Sequence, residues 1–243
     1  MSFADFLCPD GALFLDFDGT LVELAAHPES VVIPPGLLET LGRLQSRLGG
    51  AVAVVSGRPI AQIDRFLDPL VLCVAGVHGA ERRRADGSVA WEAVSPMDPV
   101  EEAAAALARA HPALRLEPKR GSLALHYRQA PALEALCLET LGAAVARSPG
   151  LALLRGKMVV EAKPAAASKG QAIEAFLEEP PFAGRRPVFI GDDVTDEAGF
   201  AAVQARGGLG VKVGEGPTTA GQRLATPASM RDEMERALTR VAA

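Results

Sequence analysis

The stretch Ala12-Leu13-Phe14-Leu15-Asp16-Phe17-Asp18-Gly19-Thr20 drives an apolar run into two carboxylates set two apart, then turns on a glycine. A short apolar run of this kind reads as a strand buried on both faces. Side chains alternate along a strand, so Asp16 and Asp18 face one way and Phe17 the other. Buried acids are unfavourable unless something compensates for their charge. The arrangement therefore asks for a cation at the carboxyl end of a strand, where open α/β sheets bind their ligands.

The neighbouring segments repeat the pattern. Pro34-Pro35 precedes a helix in which Leu37, Leu41, Leu44 and Leu48 share a face, and Gly49-Gly50 ends it. Residues 51–56 read as a second buried strand, Pro59 to Leu67 as a second helix and residues 71–76 as a third strand. This βαβαβ rhythm predicts a Rossmann-like, doubly wound parallel sheet with helices on both faces. The same texture resumes at Ser168, with a helix, a buried strand over 187–193, a helix from Thr195, the strand-like GGLGVKVG and a C-terminal helix from about 227.

Between these halves the texture changes. Asp86-Gly87 lies between two alternating runs, a hairpin signal. An alanine-rich helix follows near 97–110, then the runs LRLEP and SLALHYR, a helix over 131–147, and the runs LALL and KMVVEA. This βαββαβ-like order predicts an inserted α+β domain with its helices on one face. The expected division is a core of 1–84 and 166–243 and an insert of 85–165.

A second acidic group, Ile190-Gly191-Asp192-Asp193-Val194-Thr195-Asp196-Glu197, also follows a buried strand. Acids from two strand ends of one sheet can converge. Oxygen ligands without nearby His or Cys point to Mg²⁺. That ion prefers one or two carboxylates plus substrate phosphate, so the expected substrate is a phosphate ester. Asp16, ionised at neutral pH, is a ready nucleophile for an aspartyl-phosphate. Asp18, in the turn, is the expected general acid and base, which asks crowded carboxylates to raise its proton affinity. Gly19 permits a tight turn, so that the amides of Gly19 and Thr20 can face an anion.

Two further strand-to-helix junctions carry polar groups. Ser56-Gly57-Arg58-Pro59 opens one helix and Ser168-Lys169-Gly170 another. Ser56 could simply cap its helix, and Lys169 could be a solvated surface lysine. A cation at a helix N-terminus opposes the macrodipole, so Arg58 calls for an anion. Ser56 is expected to bind phosphate, Arg58 to contact substrate or carboxylate, and Lys169 to fix positive charge beside the metal.

Bulk composition narrows the class. The chain has 243 residues, 49% hydrophobic and 23% charged, as a globular protein does. A net charge of −5 argues against a nucleic-acid or anionic-membrane surface. Residues 85–165 hold nine basic and nine acidic residues, so the remainder carries the whole deficit. Cys8, Cys73 and Cys137 are odd in number and far apart, which suits reduced thiols. With no secretory signal pattern or membrane span, the expected location is the cytoplasm.

Taken in order, DFDGT, VVSGR, SKG and GDDVTDE resemble the four motifs of haloacid-dehalogenase-superfamily phosphatases, and the insert resembles that superfamily's type-two cap. The resemblance implies Asp16 as nucleophile and Asp18 as general acid and base. It also implies Ser56 and Lys169 as phosphate clamps. Mg²⁺ would be held by Asp16, the Asp18 main-chain carbonyl and Asp192, with Asp193 and Asp196 as outer or alternative ligands. Gly76-Val77-His78-Gly79-Ala80-Glu81, Lys119, His126-Tyr127-Arg128 and GKMVVEAKP are similar to trehalose-6-phosphate phosphatases within the superfamily. That likeness implies sugar-phosphate contacts from His78, Gly79, Glu81, Lys119, His126, Arg128, Lys157, Glu161, Lys163 and Glu197. Val22-Glu23 departs from the proline-like residue expected after the first motif.

The expectation is a Mg²⁺-dependent sugar-phosphate phosphatase acting on trehalose 6-phosphate. Alternatives are a sucrose- or mannosyl-phosphate phosphatase, a hexose phosphomutase, a DxD glycosyltransferase using a nucleotide sugar, and a catalytically silent regulatory domain. A monomer is expected. The length leaves no room for a fused synthase domain, so a trehalose-phosphate synthase is expected only as a separate partner.

Overall fold

Five consecutive buried residues make β1 (Gly11–Leu15), which lies inside a parallel sheet with no solvent face. The computed structural model describes residues 3–25, 27–91, 96–119, 121–156 and 158–239. The chain divides into two compact units, 1–90 with 168–243, and 91–167.

In the first unit α1 (Leu37–Arg47) follows β1, burying Leu37, Leu41 and Leu44 on one stripe. Then come β2 (Val52–Val55), α2 (Ile60–Leu67), β3 (Cys73–Gly76), β4 (Glu81–Arg83) and β5 (Val89–Trp91). In the second unit the order is α3 (Asp98–Ala110), β6 (Arg115–Lys119), β7 (Ser122–His126), α4 (Glu134–Val145), β8 (Leu151–Gly156) and β9 (Val159–Pro164). The first unit resumes with α5 (Lys169–Leu177), β10 (Arg186–Gly191), α6 (Glu197–Ala205), β11 (Leu209–Val213), β12 (Gln222–Leu224) and α7 (Pro227–Thr239). Ser168 starts α5 by accepting the Gln171 amide at 3.1 Å, an N-cap.

The large sheet runs β12-β11-β10-β1-β2-β3-β4-β5. From β12 to β3 the described pairings are parallel, and β4 returns antiparallel to β3. Its order reverses at β1, with β2 on one side and β10 on the other, which makes the topological switch point of a doubly wound fold. Phe14 stacks on Phe182 at 5.2 Å between ring centroids, and Phe182 meets Phe176 at 5.1 Å. Each fully buried ring contributes roughly 2–3 kcal/mol.

The second unit is an antiparallel sheet in the order β6-β7-β9-β8. Leu116, Leu123, Leu125, Val160, Ala162 and Leu153 pack with Val100, Ala104, Cys137 and Leu141 of α3 and α4. Their alternates on the strands, Glu117, Lys119, Ser122, His126, Glu161 and Lys163, therefore share the opposite face.

Three sequence expectations change. The hairpin around Asp86-Gly87 does not belong to the insert; β4 and β5 edge the large sheet. Ion pairs explain this, because Arg82 and Arg84 bind Glu179 beyond α5, and Arg83 binds Asp64 of α2 at 2.6 Å. The break therefore falls at 90/91 rather than 84/85, and at 167/168 rather than 165/166. The insert consequently runs αββαββ, not βαββαβ. Finally, β7 ends at His126, so Arg128 lies past the strand and exposed, outside the alternation expected to align it with His126.

Candidate active site

Leu15 of β1 pairs with Ile190 of β10 on one side and Val54 of β2 on the other. Parallel strands in this register deliver Asp16, Asp192 and Ser56 to one rim of the sheet. Gly19 sits there with φ +82°, a conformation that L side chains avoid. A Cβ at Gly19 would run into the Asp192 carboxylate, so the glycine lets that acid lie against the turn.

Lys169 Nζ donates to Asp16 Oδ1 and to Asp196 Oδ1, both at 2.6 Å. Lys169 is 3% exposed, Asp16 4% and Asp196 fully buried. Carboxylate oxygens of Asp16, Asp192 and Asp196 lie within 4.8 Å of one another. Three acids against the ammonium of Lys169 and that of Lys212, which reaches the Asp192 carbonyl, still leave negative charge uncompensated in a buried place. Burial pushes Asp16 well above the usual carboxylate range, opposed by Lys169 and reinforced by Asp196 and Asp192. Burial and the neighbouring Asp196 push Asp192 up to about 6. Burial alone would lower Lys169, but the Asp16 and Asp196 carboxylates hold its ammonium above the ordinary lysine value. An all-oxygen donor set with surplus negative charge fits a hard divalent cation.

Beside this cluster, Arg58 grips Asp18 with two hydrogen bonds, Nε to Oδ2 at 2.5 Å and Nη2 to Oδ1 at 2.7 Å. Its Nη1 also donates to the Pro28 carbonyl at 2.9 Å, and its guanidinium lies over the Phe66 ring at 5.1 Å. The Arg58 amide donates to Ser56 Oγ at 3.1 Å, and Ser56 is 1% exposed. Thr20 is fully buried and its Oγ1 has no hydrogen-bond partner among the described residues.

The loop after β3 is stitched to this junction. Val77 and His78 adopt φ of 50° and 54°, a strained pair for non-glycine residues. The His78 amide donates to the Ser56 carbonyl at 2.9 Å, and its ring lies 2.7 Å from where a Gly57 Cβ would be. Gly79, at φ +103°, passes Ser168 so closely that a Cβ would meet its carbonyl oxygen at 2.8 Å. Glu81 accepts the Ile60 amide and so places an anion at the N-terminus of α2.

In the second unit, Glu161 is 4% exposed and accepts from Ser122 Oγ at 3.0 Å, with Lys119 Nζ 3.5 Å away. His126 Nε2 meets Glu117 Oε2 at 2.8 Å, and this contact holds the Glu117 carboxyl below its usual range. Lys163 Nζ donates to the Ala167 carbonyl, and burial lowers its proton affinity. These groups form a charged, largely buried sheet face.

The trehalose-phosphatase family profile matches residues 14–233. The trehalose-6-phosphate phosphatase of Escherichia coli K12 is 45% identical over 218 residues, covering 88% of this chain and 81% of the relative. This chain belongs to the trehalose-phosphatase family. A solved trehalose-6-phosphate phosphatase related protein, 28% identical, superposes with a TM-score of 0.77 over 96% of this chain and 99% of its own. A haloacid dehalogenase-like hydrolase from Bacillus subtilis, 15% identical, shares the fold with a TM-score of 0.62, over 92% of this chain and 98% of its own. The fold is that of the haloacid-dehalogenase superfamily.

For this trehalose-phosphatase family member, the structure brings Asp16, Asp192 and Lys169 together and seats Ser56, Arg58 and Asp18 on adjoining rim segments. Of the two partners expected for Arg58, the structure shows the carboxylate, that of Asp18. Several other expectations change. Asp196, expected as an outer or alternative ligand, joins Asp16 and Asp192 in the metal-competent cluster of side chains. Asp193 caps the following turn by accepting the Val194 amide at 2.6 Å. Glu197 Oε2 accepts from the amide and hydroxyl of Thr219, at 2.8 and 2.6 Å. Burial opposes its charge, but those bonds hold it below the usual range. Glu81 caps a helix, and Lys163 binds main-chain carbonyls. Lys157 lies outside the described residues.

Sequence reading missed Glu117, Ser122 and Lys212. Glu117 stands two residues before Lys119, on the same strand face, which alternation could have shown. Lys212 breaks a valine run beside the GDD strand end, a charge inside an apolar pattern.

Proposed function

We propose that this chain hydrolyses trehalose 6-phosphate to trehalose and inorganic phosphate through an aspartyl-phosphate on Asp16. The observation that carries this is the buried Asp16–Lys169–Asp196 array beside Asp192 at one strand rim.

Lys169 takes Asp16 Oδ1, so Oδ2 is the oxygen assigned to attack phosphorus. The new bond joins Asp16 to phosphorus as the bond from phosphorus to the sugar oxygen breaks, and Asp18 gives its proton to that oxygen. Asp18 then takes a proton from water, the water oxygen bonds to phosphorus, and the Asp16–phosphorus link breaks to release phosphate. Ser56 Oγ and the amides of Gly19 and Thr20 are the donors assigned to the phosphoryl oxygens. Mg²⁺, held by Asp16, Asp192 and the Asp18 main-chain carbonyl, would neutralise charge on the transferring group.

The polar face of the β6–β9 sheet, with Lys119, His126 and Glu161, carries the side chains assigned to the sugar hydroxyls. Lys157 and Arg128 join them by family resemblance. No helix among the described residues is long and apolar enough to cross a membrane. The reading includes a cytoplasmic monomer whose substrate comes from a separate trehalose-phosphate synthase.

Phosphate release from a panel of trehalose, sucrose, glucose and mannosyl phosphates tests it, with and without Mg²⁺. Preference for trehalose 6-phosphate is expected, together with a hydroxylamine-sensitive phosphoprotein that Asp16→Asn does not form. Turnover retained by Asp16→Asn would remove the covalent route. Equal rates across the panel would remove the substrate assignment.

A further inference from the structure

Lys212 is a buried cation that the proposed chemistry leaves unused. It lies in β11 between Val211 and Val213, both buried, and is itself 4% exposed. An ammonium in such a place needs polar partners. Pairing of β11 with β10 sets Lys212 opposite Gly191, and its Nζ donates to the main-chain carbonyl of Asp192.

The amide of Asp192 is held as well. It donates to Asp196 Oδ2 at 2.9 Å, and the Asp193 amide donates to the same oxygen at 2.8 Å. A carboxylate therefore grips the N–H of Asp192 while an ammonium grips its C=O. Hydrogen bonds to charged groups are shorter and stronger than neutral ones. Fixing both peptide groups fixes the direction of the Asp192 side chain, and hence its seat against Gly19.

We infer that Lys212 is a positioning residue of the metal centre, clamping the Asp192 main chain so that its carboxylate is presented to the divalent cation. The inference rests on reading the Asp16–Asp192–Asp196 cluster as that centre. A competing effect has the opposite sign. Lys212 also repels a bound cation, so by charge alone its removal would tighten metal binding. A purely structural role would lower the melting temperature and leave metal affinity unchanged.

Mn²⁺ serves as the probe, with the free ion counted by electron paramagnetic resonance in solutions of the whole chain. Lys212→Met is expected to weaken Mn²⁺ binding by about tenfold, the scale of lost partners behind metal ligands. The Mg²⁺ concentration for half-maximal turnover should rise in step, while KM for the sugar phosphate stays within about twofold. Should Lys212→Met not fold, Lys212→Gln, a shorter neutral donor, is expected to show the same weakening. Unchanged or tighter Mn²⁺ binding in the folded variant overturns the clamp and leaves the metal reading standing. No Mn²⁺ uptake by the unaltered chain overturns the metal reading, and the clamp with it.

Discussion

Arg58 holds both carboxylate oxygens of Asp18, at 2.5 and 2.7 Å, and its side chain is only 10% exposed. The planar guanidinium is fixed from behind by Phe66 and the Pro28 carbonyl. Lysine has neither the fork nor the plane. Arg58→Lys is therefore expected to lower kcat by roughly 10- to 100-fold, within the range of a misplaced general acid, with little change in KM. Steady-state kinetics on trehalose 6-phosphate check this, and wild-type kcat in the variant would show that the grip is irrelevant to turnover.

Gly19 supplies a second, purely steric test. Gly19→Ala places a methyl group against the Asp192 carboxylate at φ +82°. Backbone strain of this kind costs about 1–3 kcal/mol, and the displaced carboxylate can no longer meet its partners. The expected outcome is a folded chain with a lower melting temperature and no Mg²⁺-dependent activity. Calorimetry with and without Mg²⁺ checks both parts, because the variant should also lose the metal-induced rise in melting temperature.

The Asp192 carboxyl gives a pH dependence with a definite sign. In the metal-free fold, burial and Asp196 keep its proton on until about pH 6, whereas an unfolded aspartate loses it near about 3.9. Between those values the native state binds more protons than the unfolded one. Stability from this group therefore falls as pH rises through that window and levels off above it. Mg²⁺ binds the ionised form, so the rise in melting temperature on adding Mg²⁺ should be small at pH 5 and full above about pH 6.5. Melts in EDTA and in Mg²⁺ across this range decide it. A metal-induced shift as large at pH 5 as at pH 7.5 would refute the assignment of Asp192.

What the sequence showed and what it hid follow from how far apart the partners lie. β1 and β10 are continuous apolar runs, so their strand character and the acids just beyond them are local properties. The gathering of acids at that rim was legible for that reason. The hairpin at Glu81–Trp91 was assigned to the wrong unit because alternation reports a half-exposed strand without naming its neighbour. The deciding contacts, Arg82 with Glu179 and Arg83 with Asp64, join residues distant in sequence. The roles of Asp196 and Glu81 were hidden similarly. Each looks like a free ligand in the sequence, and each accepts main-chain amides in the fold. The alternation expected to align Arg128 with His126 failed for a simpler reason, since the strand ended before it reached that residue.

The Lys169–Asp196 pair shows how far function and stability are joined here. Asp196 is fully buried and Lys169 nearly so, so removing the lysine strands a carboxylate with one oxygen unanswered. Breaking a buried pair from one side costs about 3–5 kcal/mol, well beyond the typical effect of a point substitution. Lys169→Met should therefore lower the unfolding free energy by that amount as well as abolish turnover. Adding Asp196→Asn removes the stranded charge, and the double variant should recover part of the stability but none of the activity. Denaturant unfolding of the two single variants and the double variant measures the coupling directly. Strictly additive destabilisation would show that Lys169 does not neutralise Asp196, and that the cluster draws its compensation from elsewhere.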